Sequence, residues 1–348
     1  MLQLLLGGSG SGKTTLLYQR IRARAEKGEK SILLVPEQFT SSTEGRIYRE
    51  LGDALSGMVE SFSFTSLAEK ILSTEGGAAV QTLSDAGRAV LVRRALEELQ
   101  DNVHYYHRHR RSAAFCQMAA QTIDELKSAG LSGQQLAQLA GACGAESGKL
   151  SELALIFQGY ETLLARSGMD PSDRLELAGA RLEEALARHN LPEFLRERAV
   201  FIDEFDTFNA PKKRLLGAML AALPSVTVAL CDDGAPLLPG DLSLFSGAKQ
   251  VAAQLRQLAR KNGAEVAVPE LLRKDLRHQD APALAAVTRL LETGRCEPLS
   301  PETADGLYLF AAPSREEEAR AAAGVIRRLM RQGVRCGKIA VVCRDIAK

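Results

Sequence analysis

The 348-residue sequence has no tryptophan, and only 5% of its residues are aromatic. Its six cysteines form no CxxC pair, so nothing indicates a zinc or iron–sulfur site, and free thiols in a reducing cytoplasm are expected. No apolar run approaches the length of a membrane span, and the first one, Leu2–Leu6, stops at two glycines, unlike a signal peptide. These absences predict a cytoplasmic protein without a membrane partner.

The positive and negative charges of the sequence nearly cancel. The formal net charge is +1, so the sequence does not predict a uniformly basic nucleic-acid-binding surface. Any contact with DNA or RNA must therefore come from local patches. The apolar and charged fractions, 45% and 25%, are those of an ordinary globular protein long enough for two or three domains.

The first part of the chain has a β-α-β pattern. Leu2–Leu6 is an apolar run typical of a buried strand, and a glycine-rich loop follows it. A helix is predicted from Lys13 to a stop at Gly28, and a second strand at Ser31–Val35. This order predicts a parallel sheet with a right-handed crossover.

The middle of the chain is helical. Long helical patterns cover Ala86–Leu99, Ala113–Leu126 and Leu150–Leu164, and no strand-like run interrupts them. The alternation of strands and helices then returns with a strand at Ala199–Asp203, a helix at Ala210–Leu223 and a strand at Ser225–Cys231. We expect a helical insertion within one α/β domain.

A further segment follows Gly263. It is predicted to hold helices at Pro282–Glu292 and Ser314–Arg331, with strands at Gly306–Ala311 and Lys338–Cys343. A domain rarely finishes on a strand, so we expect this segment to be cut short. The predicted division is a discontinuous α/β domain (1–82 and 194–263), a helical insertion (83–193) and part of a second α/β domain (264–348).

The strongest chemical signal is the P-loop pattern G-x-x-x-x-G-K-[ST], placed between a strand and a helix as the motif requires. Backbone N–H groups and the helix N terminus would hold phosphates, Lys13 would reach the β- and γ-phosphates, and Thr14 would bind Mg²⁺. A nucleoside triphosphate, expected to be ATP, is thus the predicted cofactor, held by Gly7, Gly8, Ser9, Gly10, Ser11, Gly12, Lys13, Thr14 and Thr15.

Acids follow two of the predicted strands. Asp203 and Glu204 come directly after Val200–Ile202, the arrangement in which the first acid holds Mg²⁺ and the second activates water. The alternative for Glu204 is a surface carboxylate. Asp232 and Asp233 precede a glycine, so they fit a site near the γ-phosphate and a turn equally well.

One segment combines basic and aromatic residues, His104–Arg111. Such a mixture suits phosphate contact together with base stacking. A solvated loop between two helices is the more economical interpretation.

Taken in order, several blocks resemble the N-terminal part of the B subunits of bacterial AddAB helicase–nucleases, relatives of superfamily 1 helicases. The resemblance rests on the P-loop and on blocks at Leu33–Thr40, Ser63–Ala68, Glu125–Lys127, Tyr160–Glu161, Asp170, Phe201–Phe205 and Ile339–Asp345. It implies a P-loop RecA-like domain split by a helical insertion, followed by the start of a second RecA-like domain.

The resemblance also implies a function in processing DNA double-strand ends and handling single-stranded DNA, together with an AddA-like partner subunit. The nuclease domain and the iron–sulfur cluster of the longer family members would lie beyond this segment. Arg277 would be the arginine that senses the γ-phosphate. Two family features are missing: a glutamine after Asp233, where Gly234–Pro236 stand instead, and room for an adenine-reading segment before the P-loop.

Ligands of parallel sheets gather at the carboxyl ends of the strands, so we expect DNA near Pro36–Thr40 and Ser63–Ser66. The polar contacts predicted there are Gln38, Thr40, Ser63 and Thr65. Phe39 and Phe64 could stack on bases or belong to the core. Two other functions stay open at this point: a scaffold in which bound ATP acts only as a clamp, and another P-loop ATPase or kinase.

Overall fold

The computed structural model describes residues 1–76, 81–144, 147–295, 298–300, 303–304 and 306–344. Its centre is a sheet of six parallel strands in the order β3-β2-β4-β5-β1-β6. The strands are β1 (Leu2–Gly7), β2 (Ser31–Leu34), β3 (Val59–Phe62), β4 (Ala199–Ile202), β5 (Ser225–Cys231) and β6 (Glu270–Leu272). The predicted α/β class is confirmed, and β5 separates the P-loop strand from the strand that precedes Asp203.

Both faces of the sheet are buried, which explains why its strands are continuous apolar runs. Leu2, Leu4 and Leu6 of β1 point to one core, whereas Leu5 points to the other. Helices α1 (Lys13–Ala25) and α2 (Thr40–Leu51) supply the Leu5 side. The opposite side packs against α4 (Phe64–Glu75), α9 (Pro171–Ala187), α10 (Ala210–Ala222) and α11 (Ser246–Lys261).

The insertion has a separate apolar core. It is built by α5 (Asp85–Glu98), α6 (Ala113–Ser128), α7 (Gly133–Ala140) and α8 (Ser147–Ser167). The next helix, α9, lies within the predicted range 83–193 but packs on α4 and α10 of the sheet domain, with Leu175 and Leu182 in the core of that domain. The remaining helices are α3 (Asp53–Ser56), α12 (Pro282–Thr293) and α13 (Arg315–Arg331).

Two expectations for the last segment are wrong. The predicted boundary after residue 263 falls too early, because β6 pairs with β1 and completes the first sheet. The predicted strands Gly306–Ala311 and Lys338–Cys343 are not strands in the described part of the chain, and neither belongs to the six-stranded sheet. Leu309 and Val342 are almost fully exposed, and a strand without a hydrogen-bonding neighbour has nothing to hold it extended. None of the described helices has both the length and the apolar character needed to span a bilayer.

A buried ionic junction joins the insertion to the sheet domain. The Lys127 ammonium of α6 donates to Asp170 Oδ2 at 2.9 Å and to Asp173 Oδ2 at 2.8 Å, at the start of α9. The Tyr160 hydroxyl donates to the other oxygen of Asp170 at 2.7 Å. Burial alone would lower the pKa of Lys127, but the hydrogen bonds that its ammonium donates to both carboxylates raise it, so the ion pair persists.

We expect Lys127→Met to lower the free energy of unfolding by about 3–5 kcal/mol, because it leaves buried carboxylates without their cation. Urea unfolding followed by circular dichroism measures the change. The matched control is Arg93→Met, which breaks an exposed helical pair with Glu97 and should cost less than about 1 kcal/mol. Equal losses in both variants would show that the junction does not hold α9 to the insertion.

Candidate nucleotide site

All six strands are parallel, so their carboxyl ends and the loops that follow lie along one edge of the sheet. There the loops after β1, β2 and β4 surround a cavity of about 630 Å³. Its lining includes most of the predicted site: Ser9, Gly10, Ser11, Gly12, Lys13, Thr14, Thr15, Asp203, Glu204 and Arg277. Residues that are far apart in the sequence are thus brought into one site.

The P-loop takes a backbone path that requires glycine. Gly10 and Gly12 have φ values of 78° and 90°, in the left-handed region that side chains disfavour. Gly12 is also the residue directly before α1, and a β-carbon there would lie 2.9 Å from Leu276 Cδ1. Because Gly12, Lys13 and Thr14 line the cavity, the N terminus of α1 lies at the cavity.

Within the described residues, Lys13 of the loop forms no ion pair and the Ser11 hydroxyl forms no hydrogen bond. Lys13 Nζ donates to the carbonyl oxygens of Gly7 and Gly8, both at 2.8 Å, so the ammonium is folded over the loop. Ser11 is buried, and its hydroxyl has no hydrogen-bond partner among the described residues. A cation held only by carbonyls and a buried hydroxyl without a partner both fit a phosphate ligand.

The acid pair lies directly opposite the loop. Asp203 is 6% exposed, and its Oδ1 accepts a hydrogen bond from the Glu204 N–H at 3.0 Å. Glu204 has a φ of 64°, a conformation that is rare for a residue with a side chain. Such strain is typical of functional sites, where the surrounding structure holds a side chain in a fixed direction.

The electrostatic surroundings of Glu204 are mixed. Burial and the neighbouring Asp203 raise its pKa, whereas Arg46, Lys13 and Arg277 lower it, and the net shift is upward. A carboxylate with a raised pKa is a stronger base than an ordinary glutamate.

Arg46 is a site residue that sequence reasoning missed. Its guanidinium lies 4.9 Å from the centre of the Tyr18 ring and borders the cavity beside Glu204. Burial, foremost, raises the pKa of Tyr18 to about 12, so that ring stays neutral. The sequence does contain a signal for Arg46: Thr43 and Ile47 form the buried stripe of α2, and Arg46 lies at the edge of that stripe.

The segment after β6 reaches back over the P-loop. Arg277 Nη1 donates to the Ser9 hydroxyl at 3.2 Å, and the Leu276 N–H donates to the Gly10 carbonyl at 2.9 Å. Asp275 accepts hydrogen bonds from the Arg277 and His278 N–H groups, which fixes the turn. The predicted sensor arginine therefore lies at the P-loop.

The predicted DNA-contact residues divide into two groups. Gln38 and Thr65 are exposed, and Gln38 borders the cavity. Thr40 is engaged locally, its hydroxyl donating to the Glu37 carbonyl, and Ser63 is buried in a capping box with Ser66 at the start of α4. Of the two interpretations of Phe64, base stacking is wrong and core packing holds, because its ring is 2% exposed and packs against Phe205 and Phe208.

Asp232 and Asp233 form a turn, as one of their two interpretations expects, and a role near the γ-phosphate stays a prediction. Their carboxylates accept hydrogen bonds from the N–H groups of Gly234 and Ala235, at 2.7 and 2.8 Å. Lys249 also pairs with Asp233. Both acids line a neighbouring cavity of about 360 Å³ together with Gly8, Ser9 and Ser11 of the P-loop, and not the cavity of about 630 Å³.

Comparisons with known proteins agree with this arrangement. Residues 4–288 match the family described as "ADDB, N-terminal". Three similar relatives are each the B subunit of an ATP-dependent helicase/deoxyribonuclease: the chain is 34% identical to that of Desulforudis audaxviator, 32% to that of Symbiobacterium thermophilum and 33% to that of Moorella thermoacetica. Each match covers 99% of this chain but 30% of the relative. The expected family relationship is thus confirmed, and the chain belongs to the ADDB N-terminal family.

Proposed function

We propose that this chain binds ATP with Mg²⁺ and hydrolyses it as part of a subunit that processes DNA ends. The observation that carries the proposal is the cavity in which the P-loop, Asp203 and Glu204 meet. Phosphate oxygens would replace the Gly7 and Gly8 carbonyls as partners of Lys13 and would accept hydrogen bonds from the P-loop N–H groups.

Thr14 and Asp203 are the residues that would hold the Mg²⁺ ion. Asp203 is buried and has no ion-pair partner in the described ranges, so the site has room for a cation. Bound there, the ion would supply positive charge to the phosphates.

Glu204 would orient and deprotonate the attacking water. Its fixed backbone, its raised pKa and its place on the cavity wall support this role. Arg277 would add positive charge at the γ-phosphate from the segment after β6. Because its hydrogen bond to Ser9 Oγ is long and exposed, it can exchange Ser9 for a phosphate oxygen.

The DNA part of the proposal rests on the relatives. They are named as B subunits of ATP-dependent helicase/deoxyribonucleases, and this chain spans about 30% of their length. We propose that the whole protein acts in the cytoplasm on double-strand DNA ends, handles single strands and pairs with an AddA-like subunit. Nuclease activity and an iron–sulfur cluster would belong to its remaining length.

A second candidate is an ATP-clamped scaffold that binds nucleotide without turnover. It is favoured by the turn at Asp232–Gly234, where the side chains are committed to local hydrogen bonds and no glutamine follows to connect hydrolysis with movement. A P-loop kinase is less well supported, because the match to the ADDB N-terminal family extends over residues 4–288.

We expect Lys13→Ala to weaken ATP binding about 10- to 100-fold, since a hydrogen bond to a charged group contributes about 1.5–3 kcal/mol. Equilibrium binding of a fluorescent ATP analogue measures the change. Lys27→Ala, an exposed lysine just beyond the same helix, is the control and should bind as the wild type does. Unchanged affinity in Lys13→Ala would remove the phosphate-binding assignment.

We expect Glu204→Gln to retain ATP binding and to slow hydrolysis by about 10²- to 10⁴-fold, because it removes the base but keeps the shape of the side chain. Single-turnover hydrolysis by the full-length subunit with its partner is the measurement. Glu44→Gln, an exposed glutamate on α2, is the control. Equal rates in wild type and Glu204→Gln would exclude Glu204 as the base, and tight binding without any turnover in the wild type would favour the clamp.

We expect Thr65→Ala to weaken single-stranded DNA binding about 2- to 10-fold, the effect of one lost neutral hydrogen bond. Gln38→Ala should do the same and also alter nucleotide binding, because Gln38 borders the cavity and Thr65 does not. Thr74→Ala, near the far end of α4, is the control, since its hydroxyl bonds within the helix. If neither Gln38 nor Thr65 matters, the strand runs elsewhere.

A further inference from the structure

One surface of the insertion concentrates positive charge away from the nucleotide cavity. We call it the basic loop: His104–Arg111 together with Lys149. It contains three arginines and three histidines, and none of the residues from Asn102 to Ile123 is acidic. The nucleotide site uses none of these residues.

The basic loop is held in place through its backbone. Glu152 of α8 accepts hydrogen bonds from three consecutive N–H groups, those of His104, Tyr105 and Tyr106, at 2.7–3.1 Å. Partial burial would raise the pKa of Glu152, but these backbone hydrogen bonds lower it. Glu152 is therefore committed to the backbone of the loop and not to its arginine side chains.

The guanidinium groups of Arg108, Arg110 and Arg111 form no ion pair in the described structure. The only polar contact of this trio within those residues is that of Arg110 Nη1, 3.2 Å from His107 Nδ1. Elsewhere on the insertion and α9, surface arginines such as Arg93, Arg94 and Arg181 are each paired with a glutamate. Three neighbouring cations without counter-charge repel one another, and a polyanion would relieve that repulsion.

Aromatic rings lie beside these cations. Tyr106 and His109 pack against Phe115, with ring centres 5.2 and 5.9 Å apart, which gives the loop an apolar floor. Tyr105 is 54% exposed, and the Lys149 ammonium lies 5.3 Å from its ring centre. An exposed tyrosine beside a lysine, in the same short loop as three arginines, offers a stacking surface near groups that can bind phosphate.

We propose that the basic loop binds the phosphodiester backbone of DNA. Arginine forks match phosphate oxygens in geometry, and the neighbouring tyrosine favours a nucleic acid over an acidic protein, which offers no bases to stack. The inference extends the proposed function in handling DNA, but it does not depend on ATP binding. Single-stranded and duplex DNA share this backbone, and the test separates them.

The test compares the variant Arg108→Gln/Arg110→Gln/Arg111→Gln with a control of equal charge change, Arg93→Gln/Arg94→Gln/Arg181→Gln. Fluorescence anisotropy measures binding of a thymidine 20-mer and of a hairpin duplex at several salt concentrations. The slope of log K against log salt is negative, and each lost phosphate contact makes it less steep by about 0.7–0.9. We therefore expect the slope of the loop variant to be less steep by about 2–3 and that of the control to change little. Tyr105→Ala should weaken single-strand binding selectively if its ring stacks on bases.

Equal slopes in the two triple variants would overturn the proposal, as would normal DNA binding combined with lost binding of the partner subunit, which would make the loop a protein interface. ATP-analogue binding should be unchanged in the loop variant. A wild type that binds ATP but no DNA would overturn the loop assignment and the DNA part of the proposed function together. A wild type that binds DNA through the loop but no ATP would overturn only the nucleotide site.

Discussion

The whole site depends on the parallel direction of the six strands. Because every strand runs the same way, the loops that follow the strands all leave the sheet at the same edge. Gly7 and Cys231 stand side by side in the register of β1 and β5, and Asp203 directly follows β4 next to them. Loops separated by about two hundred residues of sequence thus form one cavity.

The sequence predicts local features of this arrangement well and distant ones poorly. The P-loop and the Asp203–Glu204 pair are recognisable because their signals are contained in a few consecutive residues. The strand β3 and the short β6 escape prediction: Val59–Phe62 contains Glu60 and Ser61, and Glu270–Leu272 has only three residues and owes its strand pairing to β1. Arg46 escapes it for a similar reason, since its role depends on Tyr18 and Glu204, which only the fold brings near.

The insertion shows how a long-range contact overrides a boundary drawn from pattern. Helix α9 follows the insertion helices in sequence and has the same helical periodicity, so the pattern assigns it to them. Its apolar face is nevertheless buried in the sheet domain, while its first turn binds Lys127 of the insertion. A helix that belongs to one core and is ion-paired to the other fixes the attachment of the two units more firmly than a flexible linker would.

A contact between two aromatic rings connects the acid pair to the start of α4. Glu204 has a strained backbone, and the next residue, Phe205, packs edge-on against Phe64, with ring centres 5.3 Å apart. Phe64 is the first residue of α4, directly before the exposed Thr65. Burial of Phe64 therefore removes it from base stacking and packs the start of α4 against the residue that follows Glu204.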